Sequence, residues 1–309
     1  MRKRAFFRDM VLMITLVGLI LISTAASVGA FPRAVTDGSG QELVLQTKPE
    51  RIASVSVAGT EMLFSLVPAE RIIGVTGFDT DPYMSNVADL AAEVPNIIEF
   101  NAEAVLKLEP DLLIVAAWNN PDVIAQLRET GLLIYTLENI VSVDQISQAI
   151  SNLGRAVGEE AAAEALTSAM ADHIEGMVSA VDEIGEKPRV LIYTTWGSTY
   201  GRGTTYDELI RLAGGVNVAD ELGISGWGDV SEESIIRVAP DIVVIDFYGP
   251  PDQEFINAFL SKPAFQSIPA VENGRVVAVA QRKVTTTSQY IVEGLVELIG
   301  LFHGEAMLQ

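Results

Sequence analysis

The chain contains no cysteine and only two histidines, His173 and His303. The absence of cysteine excludes disulfide bonds, thiolate nucleophiles, Cys-ligated zinc and iron–sulfur clusters. Two histidines are too few for a histidine-rich metal site, and we expect no resident metal or cofactor. Basic residues are also scarce, because 20 Lys and Arg stand against 41 Asp and Glu, a net charge of −21. Phosphate backbones repel such a chain, so we expect no nucleic-acid partner.

The common catalytic motifs are missing as well. The sequence has no Gly-x-Ser-x-Gly elbow, no Gly-x-x-x-x-Gly-Lys phosphate loop and no Gly-x-Gly-x-x-Gly after its first predicted strand. These absences favour a binding protein over an enzyme. Two alternatives stay open: an exported enzyme that uses the carboxylates of Glu61, Asp79 or Asp81, and a structural or adhesion module.

The first thirty residues have the pattern of a secretory signal peptide. A basic start is followed by the apolar run Val11–Ile22 and by small residues that end at Ala30. This order predicts export and cleavage after Ala30. The alternative is an uncleaved anchor, because residues 11–30 carry no charge. No cysteine follows that could carry a lipid, so we expect a protein that is free in a periplasm or tethered to the outer face of the membrane.

Short apolar runs alternate with helical patterns from Arg51 onward, as is typical of parallel α/β sheets. The runs predict strands at Ile52–Val57, Ile72–Thr76, Leu112–Ala117, Leu132–Leu137, Val190–Thr195, Ile242–Phe247 and Val276–Ala280. The intervening patterns predict helices at Thr60–Leu66, Ala102–Leu108, Asp122–Thr130, Tyr206–Leu212, Glu232–Val238 and Gln253–Leu260.

One segment repeats along the chain. Residues 103–115 and 233–245 share a glutamate, a basic residue, a Pro-Asp pair and their apolar positions. A repeat at this distance predicts two similar lobes. Between them, residues 142–184 show the apolar spacing of an amphipathic helix, with an expected break at Gly158. We expect a rigid helix that joins the lobes, with an ordinary crossover helix as the alternative.

The predicted fold is therefore of the α/β class, with two Rossmann-like lobes that contain parallel sheets and are joined by a single long interlobe helix. The predicted divisions are a signal peptide (1–30), an N-terminal lobe (31–157), a linking helix (158–185) and a C-terminal lobe (186–309).

A ligand site is expected at the carboxyl ends of the strands, where open parallel sheets bind their ligands. Aromatic and polar residues collect at these ends, a combination that suits a large, flat, amphipathic ligand. The alternative for each aromatic residue is that it caps the core, and for each arginine that it pairs with a nearby acid. The candidate ligand-binding residues are Thr60, Tyr83, Trp118, Trp196, Tyr200, Arg202, Trp227, Tyr248 and Arg282.

Five segments, taken in order, resemble the ABC-transporter solute-binding proteins for iron complexes and vitamin B12. They are Arg51-Ile-Ala-Ser-Val-Ser-Val-Ala-Gly-Thr60-Glu61 with Arg71-Ile-Ile-Gly-Val-Thr76, the two Glu-to-Pro-Asp repeats, residues 203–219, and residues 268–277. The resemblance extends from Phe31 to the end of the chain. It implies a monomer that holds a ligand in an interlobe cleft, closes slightly around it, and delivers it to a permease with its ATPase.

The same resemblance implies that one glutamate in each lobe docks onto arginines of the permease. The matching positions are Glu103 and Glu233, which are also equivalent in the repeat. The alternative is local, because Asn101 and Ser231 are candidate N-caps and an acid in the first turn is favoured by the helix dipole. We expect both glutamates to lie away from the strand ends.

The ligand class stays open at this point. A bare zinc or manganese ion is disfavoured, because family members that bind one usually supply several histidines. The small-molecule metal complexes that remain are a corrinoid held by tryptophans, a ferric siderophore held by Arg202 or Arg282, and haem ligated by Tyr83, Tyr200 or Tyr248.

Overall fold

A computed structural model describes residues 31–185 and 187–304 of the chain. The predicted signal segment, residues 1–30, lies outside these described residues. Within them, no helix has the length and apolar character needed to cross a membrane.

The strands, in chain order, are β1 (Arg33–Thr36), β2 (Glu42–Leu45), β3 (Ile52–Ser54), β4 (Ile72–Thr76), β5 (Ile97–Ile98), β6 (Leu112–Ala116), β7 (Ile134–Leu137), β8 (Arg189–Thr194), β9 (Ser198–Tyr200), β10 (Val216–Asn217), β11 (Trp227–Asp229), β12 (Ile242–Phe247) and β13 (Val276–Ala280). The helices are α1 (Val57–Leu66), α2 (Ala88–Ala91), α3 (Ala102–Lys107), α4 (Pro121–Glu129), α5 (Val143–Val157), α6 (Glu160–Asp182), α7 (Thr205–Leu212), α8 (Glu232–Val238), α9 (Gln253–Ser261), α10 (Pro269–Glu272), α11 (Gln281–Val284) and α12 (Ile291–His303).

Two parallel sheets organise the molecule. The first has the strand order β5-β4-β3-β6-β7, and the second has the order β10-β8-β12-β13. In each sheet the chain first moves outward on one side and then returns to the other, so the order switches between β3 and β6 and between β8 and β12. The predicted α/β class with two lobes is confirmed. Such switch points are where open sheets bind ligands.

Each sheet is buried on both faces, which explains why its central strands are apolar throughout. In β6, Leu112 and Ile114 join one hydrophobic cluster, whereas Leu113 and Val115 join another on the opposite face. The strand β12 alternates in the same way between two clusters. One of these clusters is common to both sheets, so the lobes share part of their core.

The two lobes are connected through α5 and α6. Gly158 ends α5 with φ +74°, a left-handed conformation that glycine adopts without steric cost, so the predicted break is confirmed. The following helix has 23 residues and a length of about 34 Å. Met170 and Val181 are buried on one side of it, as the amphipathic pattern predicted.

The sequence repeat is also a structural repeat. Glu109 and Ala239, just before the two Pro-Asp pairs, have φ values of 48° and 44°, and they are the non-glycine residues with positive φ in the described chain. The Asp111 carboxylate accepts a hydrogen bond from the Arg51 backbone N–H at 3.0 Å, and Asp241 accepts the equivalent bond from Arg189 at 2.8 Å. Each turn therefore ties the start of one central strand to the start of its neighbour.

Several elements differ from the predicted ones. The first predicted strand, β3, ends at Ser54 rather than Val57. It ends there because the Ser56 side chain accepts a hydrogen bond from Gly59 N and α1 begins at Val57. The sequence pattern did not predict the antiparallel pairs β1–β2 and β9–β11 or the helices α2, α11 and α12.

Candidate functional site

Three adjoining cavities lie at the carboxyl ends of the strands. The central cavity has a volume of about 480 Å³ and is lined by Val55, Ser56, Val57, Ala58, Glu61, Thr76, Phe78, Met84, Trp118, Asn119, Arg282, Thr285, Thr286 and Thr287. The second cavity, about 450 Å³, shares four of these residues and adds Gly77, Asp81, Ile98, Glu99 and Phe100. The third, about 240 Å³, shares Ser56, Ala58, Trp118, Thr285 and Thr287 and adds Leu137, Glu138, Asn139 and Ile140.

Another cavity, about 500 Å³, lies at the opposite edge of the second sheet, lined among others by Asp241, Arg275 and His303. It is far from the switch point, so the three adjoining cavities form the candidate site. Both lobes line the central and third cavities, because residues 56–58 belong to the first lobe and Thr285 and Thr287 to the second, whereas first-lobe residues line the second cavity.

A buried carboxylate fastens the lobes together beneath the central cavity. Glu61, on α1, is 1% exposed, and its Oε1 accepts hydrogen bonds from the Asn86 backbone and side chain at 2.7 and 2.9 Å. Its Oε2 accepts hydrogen bonds from the hydroxyls of Thr286 and Ser288 in the second lobe. Burial raises the pKa of Glu61, whereas these hydrogen bonds oppose the rise. With both oxygens occupied, this carboxylate fixes structure and is not free to act as a base.

A second buried carboxylate, Asp79, holds the end of β4. Its Oδ2 accepts hydrogen bonds from the Thr76 backbone N–H at 2.7 Å and from the Thr76 hydroxyl at 2.6 Å. Burial raises the pKa of Asp79. The side chain lines none of the three cavities, which weakens the alternative of an enzyme that uses it.

An aromatic bridge crosses between the lobes. Tyr248 follows β12, and its hydroxyl donates a hydrogen bond to Asp81 Oδ2 at 2.5 Å. The ring of Tyr248 packs edge-on against the ring of Tyr83, with ring centroids 6.2 Å apart. The hydrogen bond lowers the pKa of Asp81 and raises that of Tyr248. We call these three residues the tyrosine bridge; it brings together two of the predicted ligand-binding residues.

The three tryptophans are all exposed at the carboxyl ends. Trp118, Trp196 and Trp227 are 71%, 66% and 60% exposed. Trp118 lines the central and third cavities, whereas Trp196 and Trp227 line none of the three. Trp227 is the first residue of β11 and pairs with Tyr200 of β9. Their exposure shows that the three indole rings do not cap the core.

Two predicted residues point to structural roles. Thr60 is fully buried in α1 and lines none of the three cavities. Tyr200 stacks on the buried Tyr206 with ring centroids 4.6 Å apart. Burial and the nearby Asp246 carboxylate raise the pKa of Tyr200 to about 12. These positions explain both residues by packing.

The two predicted arginines have different partners. Arg202 is ion-paired with Asp220 at 3.1 Å and its side chain is 67% exposed. Arg282 lines the central cavity and donates a hydrogen bond from Nη1 to Asn86 Oδ1 at 2.8 Å. Arg202 lines none of the three cavities and its charge is balanced by an acid, whereas Arg282 lines the central cavity and its partner is a neutral amide.

Sequence reasoning missed several lining residues, among them Asn119, Phe78 and the threonines at 285–287, and it missed Asn86, which bonds both Glu61 and Arg282. The Thr-Thr-Thr-Ser run at 285–288 is visible in the sequence and begins three residues after Arg282. It carried no signal because α11, which turns these hydroxyls toward α1, was not predicted.

Glu103 and Glu233 are exposed near the starts of α3 and α8. The predicted caps are present, because Asn101 and Ser231 accept hydrogen bonds from Ala104 N and Ser234 N. Within the described residues neither glutamate forms an ion pair or side-chain hydrogen bond. Phe100, just before α3, lines the second cavity, whereas Glu103 lines none of the three.

The site offers little for catalysis or for direct metal binding. Among the described residues, no group of three His, Asp or Glu side chains is arranged to hold a metal ion. His173 lies on α6 and His303 at the end of α12, both outside the three cavities. The arrangement of hydroxyls, amides, indoles and one guanidinium is suited to holding a molecule across two lobes.

Comparisons with known proteins agree with this geometry. A family model described as periplasmic binding protein matches residues 52–282. A cobalamin-binding protein of Halobacterium salinarum is 27% identical over 278 residues, which cover 89% of this chain and 75% of the relative. An uncharacterised ABC transporter substrate-binding lipoprotein of Bacillus subtilis is 25% identical, over 87% of this chain and 84% of the relative. The structure of the periplasmic heme-binding protein RhuT of Roseiflexus sp. RS-1 superposes with a TM-score of 0.71 at 26% identity, covering 84% of this chain and 99% of that one.

Proposed function

We propose that this chain, which belongs to the periplasmic binding protein family, captures a corrinoid in its cleft and delivers it to an ABC permease. Membership makes it a solute-binding protein of an ABC importer and not an enzyme, with a permease and its ATPase as partners. The choice of corrinoid over iron chelate or haem is our own inference.

The chemistry of the cavity walls carries this proposal. Trp118, Phe78 and Met84 provide apolar contact, and the neutral polar groups of Asn119 and residues 285–287 surround it. A corrinoid presents a broad ring edged with neutral amides, which such hydroxyls and amides can hydrogen-bond. The similarity to a relative named as a cobalamin-binding protein supports the same ligand.

A ferric siderophore fits these walls less well. The anionic siderophores require several cations, whereas Arg282 is the one cationic residue among those that line the three cavities. The acids Asp81, Glu99 and Glu138 line the same space and repel an anion.

Haem is the second candidate, because the superposed RhuT structure is named as a heme-binding protein. Haem requires an axial protein ligand, and no histidine or tyrosine lines the three cavities. Tyr248 already donates its hydroxyl proton to Asp81. A corrinoid needs no such ligand, because its own nucleotide base can occupy the axial position of the cobalt.

We further infer that Trp118, Trp196, Trp227, Tyr83, Tyr248 and Arg282 contact the ligand, and that Glu103 and Glu233 dock onto cationic groups of the permease. The exposure of the five aromatic side chains and the place of Arg282 in the central cavity support the ligand contacts. Glu103 and Glu233 are exposed and have no side-chain partner within the described chain, which supports docking. The same proposal includes domain divisions after residues 30, 157 and 185 and a monomeric state. It also includes export, with either cleavage after Ala30 or tethering by residues 11–30.

The test is direct binding to the purified protein that lacks residues 1–30. Cyanocobalamin, haemin and a ferric catecholate siderophore are titrated separately by calorimetry and by tryptophan fluorescence. We expect one cyanocobalamin per chain, recovered chemically unchanged. Tighter binding of haemin or of the siderophore would overturn the corrinoid assignment, and chemical turnover of the ligand would favour the enzyme alternative.

The absorption spectrum of the protein purified from its native source gives an independent check. A copurifying corrinoid supports the proposal, whereas a haem Soret band or a ferric-siderophore band contradicts it.

A further inference from the structure

We propose that Arg282 binds the phosphodiester of the corrinoid nucleotide loop, so that the cleft selects complete corrinoids over those that lack this loop. The inference rests on the proposed corrinoid function and adds to it a specificity-determining residue. It follows from the contacts of the charged side chains around the cleft.

Arg282 is unusual among the residues that line the three cavities. It is the one cation, whereas Glu61, Asp81, Glu99 and Glu138 are acids. An anionic ligand group that enters the cleft therefore has a single favourable place to bind.

The positive charge of Arg282 is held in place but not neutralised. Its Nη1 donates to Asn86 Oδ1 at 2.8 Å, and the Asn86 side chain donates back to the Arg282 carbonyl at 3.1 Å. Within the described residues its guanidinium makes no ion pair, although Glu61 contacts the same Asn86. Asn86 and two hydroxyls already supply hydrogen bonds to both oxygens of Glu61, so the remaining guanidinium N–H groups of Arg282 are left for a ligand.

Neighbouring cations do not share this property. Arg202 pairs with Asp220 at 3.1 Å, and Lys283, the next residue along the chain, pairs with Glu297 at 2.7 Å. The contrast separates Arg282 from the two cations that acids already balance. It also makes Arg202 a matched control.

The chemistry of the ligand completes the argument. The nucleotide loop of a complete corrinoid contains one phosphodiester anion, whereas the amides around its ring are neutral. A planar guanidinium binds two phosphate oxygens at once, and such charge-assisted bonds are stronger than those between neutral groups.

The experiment compares three corrinoids on three variants of the protein without residues 1–30. Cyanocobalamin has the complete loop, cobinamide phosphate has the phosphate without the base, and cobinamide has neither. For the wild type we expect both phosphate-containing ligands to bind at least about 10-fold more tightly than cobinamide. In Arg282→Gln, this preference should fall to within about threefold.

Two further variants sharpen the result. Arg282→Lys keeps the charge but not the planar fork, and should retain an intermediate preference. Arg202→Gln should keep the full wild-type preference. Cobinamide binding shows whether the cleft is folded. If Arg282→Gln binds none of the three ligands, Arg282→Lys decides the test. A wild-type preference for phosphate-containing ligands in Arg282→Lys would then count against the proposal.

The outcomes separate this inference from the function on which it rests. If Arg282→Gln weakens all three ligands equally, or leaves the preference for phosphate intact, Arg282 is not the phosphate-binding residue and the corrinoid function stands. If the folded wild type binds none of the three, the corrinoid function itself is overturned, and this inference with it.

Discussion

The two lobes agree at one edge of their sheets and differ at the other. At the amino edge, Asp111 and Asp241 make the same bond to the backbone N–H of Arg51 and Arg189. The side chains of these two arginines also make equivalent bonds. Arg51 donates a hydrogen bond to the Leu108 carbonyl and Arg189 donates one to the Val238 carbonyl, each at 2.6 Å. We refer to these two sets as the Arg–Asp turns.

At the carboxyl edge the equivalent positions have diverged. Ala116 at the end of β6 corresponds to the fully buried Asp246 of β12, and Trp118 corresponds to Tyr248 of the tyrosine bridge. The comparison indicates that the repeat persists where it ties strands together and changes where a ligand is held. Glu103 and Glu233 are an exception, because they are equivalent in the repeat although both are exposed and neither ties strands together.

This exception gives the prediction with the largest effect. If a single partner contacts both lobes, changing both Glu103→Arg and Glu233→Arg should abolish transport and complex formation with the permease, because two attractive charge pairs become repulsions. Ligand affinity and the free energy of unfolding should change little. Uptake of labelled ligand and salt-dependent binding to the permease in detergent would measure this.

The alternative that both acids serve only the helix dipole makes a different prediction. Glu→Gln at both positions would then lower the free energy of unfolding by about 0.3–1 kcal/mol each. Transport would follow the amount of folded protein. A folded, ligand-binding double arginine variant with normal transport would contradict docking.

The buried Asp246 should make stability depend on pH. Burial raises its pKa to about 6 from an ordinary value of 3.8. Between these values the folded state keeps a proton that the unfolded state releases, so the free energy of unfolding should fall as pH rises, by about 3 kcal/mol in total. Above about pH 6 this contribution should be constant.

Asp246→Asn removes this titration. Urea unfolding at several pH values should show the variant gaining on the wild type from about pH 4 to 6, whereas substitution of an exposed acid, Asp229→Asn, should leave the wild-type profile unchanged. Parallel profiles for wild type and Asp246→Asn would show that Asp246 titrates normally.

The exposed indoles should matter for ligand and not for folding. Trp118→Ala should weaken ligand binding by about 1–3 kcal/mol, because a buried aromatic contact in the complex is lost. Trp196→Ala should act in the same direction. Their melting temperatures should stay near the wild-type value, since both side chains are already exposed in the free protein. Unchanged affinity in both variants would show that the ligand lies elsewhere.

Substitutions in the Arg–Asp turns should lower stability and leave ligand affinity unchanged, and theirs is the smallest of the expected effects. Asp111→Ala and Asp241→Ala should each lower the free energy of unfolding by about 1–2 kcal/mol, comparable to the loss of a helix cap. Asp111 should cost more, because its Oδ2 accepts bonds from the backbone N–H groups of both Glu50 and Arg51. Ligand affinity, measured by calorimetry, should be unchanged, and a loss of affinity would break the division between the two edges.

Much of the fold was predictable because apolar runs and the repeat are local properties of the sequence. The helix α12 was not, because Gly294 resembles a helix breaker. In the structure Gly294 lies against the Lys283 backbone, where a Cβ atom would come within 2.3 Å of the carbonyl oxygen. The glycine therefore allows close packing and does not end the helix.

The candidate site was predictable in its place but not in its connections. Strand ends placed Trp118 and Arg282 near a cleft, because carboxyl ends of parallel strands meet at one edge. The bonds that join Glu61 to Asn86 and Ser288 span 25 and 227 residues. No local pattern encodes such pairings, which depend on how the two lobes meet.

The hydrophobic cluster common to both sheets has a consequence for how the molecule melts. Its buried members include Met62 of α1, Met170 of α6 and Leu295 of α12, so neither lobe can lose its packing without exposing apolar surface of the other. We therefore expect one cooperative thermal transition, with equal calorimetric and van't Hoff enthalpies. The two lobes that flank the ligand cleft would then unfold together as a single thermodynamic unit.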